Sequence, residues 1–82
     1  MSYYKLKMRF AAWINTIVEK GKGRVLILSE IENQAEIDFG FSQKQVLLAF
    51  DRFERQGLVE VDIKNDKVRV MVDDKKGKGK KD

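Results

Sequence analysis

Residues 42–57 read SQKQVLLAFDRFERQG, and this stretch decides the fold. At 100° per residue, Val46, Ala49, Phe50, Phe53 and Gly57 gather on one side of a helix, with Lys44, Leu48, Asp51, Arg52 and Arg55 on the other. One face builds a core and the other is left to meet a partner. Ser42 and Gln45 have the spacing of a capping box, and Gly57 supplies the stop. Directly behind the glycine, Leu58 to Val72 alternates apolar and polar residues through a short turn, the pattern of a β-hairpin. With Asn65 and Asp66 as a two-residue loop, Ile63 opposes Val68, Val61 opposes Val70 and Val59 opposes Val72, which puts six apolar side chains on one face. The other face pairs Glu60 with Met71 and Asp62 with Arg69, and Lys64 and Lys67 flank the tip.

Working back toward the N-terminus, a second helix precedes the first. Ser29 is placed to cap it, with Glu32 in the capping-box position and Glu30 beside it at the positive end of the dipole. Ile31 and Ala35 face inward, and Gly40 ends the helix in a residue that tolerates positive φ. Phe41 then sits where a hydrophobic staple onto Val46 would form. Two helices joined by so tight a turn make a helix-turn-helix. Arg24 to Leu28, RVLIL, is short, β-branched and apolar, and fits a three- or four-residue strand. The GKGR run before it lacks the GxxxxGK[ST] spacing of a phosphate-binding loop and reads as a turn.

Residues 1–20 open the chain as a further helix, with Leu6, Phe10, Trp13, Ile14 and Ile17 on one stripe and Tyr3 a turn earlier. Tyr4, Met8 and Ala11 form a second apolar band beside that stripe. A wide apolar surface on a small domain is commonly buried by a partner, so the band is a candidate homodimer interface.

The chain has 82 residues, no Cys and no His, and a formal net charge of +4. That length is one domain, close to the lower size at which a single core suffices. The missing Cys and His exclude disulfides, the usual structural zinc sites and His-based triads, so no metal or other cofactor is expected. No convergent set of polar residues replaces them, which speaks against an enzyme. No run approaches the ~20 apolar residues of a membrane span, and residues 1–7 lack the core of a secretory signal, so the expectation is a soluble, cytoplasmic, nucleoid-associated protein. Residues 73–82, DDKKGKGKKD, hold five Lys and three Asp, leaving 12 basic and 10 acidic residues elsewhere. Most of the domain is thus only mildly basic. The division expected is a folded domain over 1–72 and a disordered lysine-rich tail over 73–82.

The order helix, strand, helix, helix, strand, strand, read through LSEIENQAEIDFGFSQKQVLLAFDRFERQGLVEV, resembles the winged helix-turn-helix superfamily. The likeness covers residues 3–72 and is one of pattern. It is shared with small archaeal and archaeal-virus regulators, with multiple-antibiotic-resistance-type regulators and with the C-terminal domain of replicative minichromosome maintenance helicases. It implies an α+β fold of three helices and a small antiparallel sheet. It also implies double-stranded DNA as partner, with the last helix in the major groove and the wing on the backbone, as in a small transcription regulator. Carried onto this chain, the DNA-binding residues would be Gln43, Lys44, Gln45, Leu48, Arg52 and Arg55 on the helix and Lys64, Asn65 and Lys67 on the wing. Glutamine suits adenine and the cations suit phosphates. Leu48 departs from the pattern, standing where base-reading helices usually carry a polar residue. It would touch a thymine methyl or mark a protein interface, and the second option gives the alternative reading: a winged helix used as a protein-interaction module in replication, transcription or viral machinery. RNA binding through the basic tail is a third option.

Overall fold

The computed structural model describes residues 3–72, and the lysine-rich tail lies outside the described residues. Three helices and three strands follow in the expected order: α1 (Tyr3–Lys20), β1 (Val25–Ile27), α2 (Leu28–Phe39), α3 (Gln43–Arg55), β2 (Val59–Asp62) and β3 (Lys67–Val70). The strands form one antiparallel sheet in the order β1-β3-β2. The fold is α+β, with the helices covering one face of the sheet.

The core follows from the apolar faces. Phe10, Ile14 and Val18 of α1, Ile31 and Ala35 of α2 and Val46 and Phe50 of α3 are buried together with Val59, Val68 and Val70 of the sheet. Leu6, Trp13 and Ile17 pack at its margin, so the α1 stripe lies one residue further round toward Val18 than the sequence suggested. Phe10 is the hub of an aromatic cluster, with ring centroids 4.8 Å from Phe41, 5.3 Å from Phe39 and 5.9 Å from Trp13. The contacts to Phe41 and Phe39 are edge-to-face, a geometry that stabilises beyond its buried area. They fix the α2–α3 turn against α1. Phe41 and Val46 are both buried, as the staple required.

Helix α3 stops as its sequence dictates. Gly57 has φ 77°, and the Leu58 and Gly57 N–H groups donate to the Phe53 and Glu54 carbonyls at 3.0 Å each. This is the paired arrangement of a Schellman ending. The chain can then reverse straight into β2, whose Val61 N–H is capped by the Glu54 carboxylate at 3.3 Å.

Three local expectations are corrected. The hairpin register is Val59↔Val70, Glu60↔Arg69, Val61↔Val68 and Asp62↔Lys67, two residues from the expected pairing. Residues 63–66 therefore form the turn, and Ile63 and Val72 are exposed beyond the strands. A shift of two keeps every side chain on its own face, so alternation could not discriminate the two pairings. Arg69 meets Glu60 at 3.1 Å rather than Asp62. Asp62 instead organises the turn, accepting from the Asn65 backbone N–H at 3.2 Å and side-chain amide at 2.8 Å.

The second correction concerns the start of α2. The strand ends at Ile27 and Leu28 is already helical, so Ile27 is the N-cap and offers no side-chain bond. Ser29 and Glu32 do not cap the helix. The cap comes from the hairpin turn: the Asp66 carboxylate accepts from the Ser29 N–H at 2.7 Å and from its hydroxyl at 2.6 Å. The Asp66 carbonyl also takes the Leu28 N–H at 3.0 Å. Third, Ser42 is the N-cap of α3, but its hydroxyl donates to Gln45 Oε1 at 2.9 Å instead of closing a capping box with the backbone. The RVLIL run forms a three-residue strand, Val25–Ile27, within the expected length, and Leu28 is already in α2.

Candidate nucleic-acid interface

The outer face of α3 carries Gln43, Lys44, Leu48, Arg52 and Arg55, all exposed. They are held there because Val46 and Phe50 anchor the opposite side in the core. Gln45 is half-buried, and its oxygen is taken by Ser42. Arg55 is engaged by Asp51 at 2.9 Å, one helical turn away. Leu48 is 63% exposed, whereas Leu47 packs at the core margin. A large apolar side chain standing out among cations is the least expected feature of this face.

On the hairpin, Lys64, Asn65 and Lys67 are exposed. Asn65 is committed to Asp62, and that bond, first the side-chain and then the backbone contact, lowers the Asp62 pKa below its ordinary value, with Lys67 and Arg69 adding to the effect. The negative Asp62 in turn holds the turn closed. Because Asp66 is tied to the start of α2, the wing does not project freely, and its two lysines are carried on a tip pinned to the helical layer. Among the described residues, Lys44, Arg52, Lys64 and Lys67 have no acid within ion-pair distance. Lys44, Arg52 and Lys64 are therefore uncommitted cations, whereas Lys67 stands across the strands from Asp62 and helps to lower its pKa.

Not all nine share one surface. Gln45, Leu48 and Arg52 line a groove of about 360 Å³ between α3 and α1, whose other wall carries Tyr3, Lys7, Ala11 and Asn15. Phe10, Phe41 and Phe53 form its floor. Lys67 lines a different recess on the outer face of the sheet with Arg69, Glu60 and Asp62. The α1 band remains at the surface, with Tyr4 70% and Met8 55% exposed. Ala11 belongs both to that band and to the groove, so the band adjoins the groove that Leu48 lines. Sequence reading treated them as separate. The spacing of Tyr3, Lys7, Ala11 and Asn15 at i, i+4, i+8 and i+12 was the signal that one wall runs along α1.

Among the described residues no cluster of metal-ligating side chains occurs, and no helix is long and apolar enough to cross a membrane. The architecture is three helices and a small antiparallel sheet, compatible with a winged helix. Compared with protein-family models, curated proteins and solved structures, the chain matches none.

Proposed function

We propose that this chain is a winged-helix protein that binds double-stranded DNA and acts as a small transcription regulator. The observation that carries the reading is the set of uncommitted cations, Lys44 and Arg52 on α3 and Lys64 on the hairpin, displayed by a helix-turn-helix, with Lys67 exposed beside the turn that carries Lys64. Arg and Lys without an acidic partner are available to neutralise phosphates, releasing counterions from the duplex. Gln43, exposed in the first turn of α3, is the residue proposed to read a base edge, since a primary amide can pair bidentately with adenine. Gln45 and Asn65, already bonded within the protein, are proposed to position their neighbours. Leu48 contacts a thymine methyl when α3 enters the major groove. Helix α1 is proposed to mediate self-association through Tyr4, Met8 and Ala11, whose exposure supports that role.

A selection of bound fragments from random duplex DNA tests the reading. It should enrich a short motif, and Gln43→Ala should relax one position of it without abolishing binding. Recovery of unselected sequence with no measurable retention of duplex would overturn the proposal. The exposed Leu48 beside an apolar groove favours a second reading, a protein-interaction module. In that case Leu48→Ala abolishes partner binding while leaving DNA retention at background.

A further inference from the structure

Charge is sorted between the helices. From Tyr3 to Val18, α1 carries Lys5, Lys7 and Arg9 and no acid. Helix α2 carries Glu30, Glu32, Glu36 and Asp38 and no base. The groove between α1 and α3 has Lys7 on one wall and Arg52 on the other, above an aromatic floor. Its ideal occupant is an apolar side chain flanked by carboxylates. Residues 73–82 do not qualify, having five Lys and no apolar residue. A two-fold pairing of α1 with its own copy does not suit the charges either. It would bring Lys5, Lys7 and Arg9 of one protomer near the same cations of the other, within the ~8 Å over which salt screens poorly.

The same chain presents the complementary surface on α2. Ile37 is 67% exposed, while Leu28 and Ile31 of the same helix are buried. It stands between Glu36 and Asp38, and the Asp38 carboxylate is held by the Gln34 amide at 2.8 Å. We infer that a second copy of this chain docks head to tail: the Glu36-Ile37-Asp38 corner of α2 seats on the groove between α1 and α3, covering Leu48 and Ala11. The two carboxylates then face Lys7 and Arg52. Each protomer has one such corner and one such groove on different elements, so the contact is heterologous and propagates into an open chain or closes into a ring. The inference rests on the self-association proposed above and changes its geometry from two-fold to asymmetric; because it covers Leu48 and Arg52, a groove occupied by a second copy is closed to DNA, and assembly and DNA binding by α3 compete.

Sedimentation of the full chain, without DNA, tests it through complementary variants at exposed positions. Wild type should gain mass with concentration beyond a dimer, and should assemble less at high salt. Ile37→Lys, which removes the corner, and Leu48→Glu, which blocks the groove, should each be monomeric with unchanged helical content. Mixed in equal amounts they should form a 1:1 dimer that grows no further, because one intact corner meets one intact groove. Should Leu48→Glu lose helical content, Ala11→Glu on the opposite wall takes its place. If Ile37→Lys leaves assembly intact while Met8→Glu abolishes it, the head-to-tail contact is wrong and the two-fold α1 dimer stands. A wild type that stays monomeric at every concentration overturns both. A mixture that stays monomeric overturns the head-to-tail contact.

Discussion

Replacing Asp66 tests whether the hairpin turn caps α2. Its carboxylate takes the Ser29 N–H and hydroxyl at 2.7 and 2.6 Å, and its backbone sits at φ 59°. Loss of a capping side chain costs about 0.5–2 kcal/mol, and loss of a negative charge at a helix N-terminus about 0.3–1 kcal/mol. The left-handed backbone adds roughly 1 kcal/mol when a residue with Cβ but no local polar side chain must occupy it. Asp66→Ala should therefore lose about 2–3 kcal/mol, the lower bounds being partly redundant because cap and charge are the same group. Asp66→Gly relieves the backbone and should lose less than Ala, and Asp66→Asn, which keeps an acceptor and tolerates positive φ, least of all. Since ~1 kcal/mol moves the Tm of a domain this size by about 4–8 °C, the order Asp, Asn, Gly, Ala is resolvable by thermal and urea unfolding. Glu32→Ala should leave the cap untouched. The reasoning is refuted if Ala, Gly and wild type unfold within a few tenths of a kcal/mol of one another, or if Ser29→Ala and Asp66→Ala add in the double variant as independent sites.

Three further outcomes are expected. Asn65→Ala removes the bond that lowers the Asp62 pKa. A depressed carboxylate contributes stability above its unfolded value and loses it as pH falls through the folded one, so acid unfolding of wild type below the usual aspartate range should be steeper than that of the variant. Equal acid profiles would contradict this. Deleting residues 73–82 should leave Tm unchanged and weaken binding to arbitrary polyanions, because five lysines contribute only diffuse attraction; a Tm several degrees lower would show that the tail packs on the domain. Gly21 is buried, and an added Cβ would lie 2.9 Å from the Ile17 carbonyl oxygen. Gly21→Ala should therefore destabilise by about 1–3 kcal/mol through overpacking of backbone that cannot yield; an unchanged urea midpoint would contradict it.

The order of elements, the inward face of α3 and the burial of Ile31, Ala35 and Phe41 were legible because periodicity and glycine stops are local signals. The hairpin faces were legible for the same reason, but their register was not. Two pairings that differ by two residues put the same valines on the same face, and only the Asp62–Asn65 bonds reveal a four-residue turn. The α2 cap was hidden differently. Ser29 has the look of a cap in sequence, yet its partner Asp66 lies 37 residues away, and the hairpin turn that carries Asp66 had to be placed first. Likewise Ala11 and Leu48 come from helices whose crossing no single-helix projection contains, so one groove was read as two faces.

The central claim is that α3 and the hairpin together engage the phosphates of duplex DNA. Its most direct test is the equilibrium binding of a labelled duplex of arbitrary sequence to wild type, Arg52→Ala, Lys64→Ala and the double variant, from about 50 to 200 mM salt. Each substitution should weaken binding and reduce the magnitude of the slope of log K against log salt by about 0.9, one phosphate contact, with the two effects adding in the double variant. A double variant that binds with the affinity and salt slope of wild type would contradict the account.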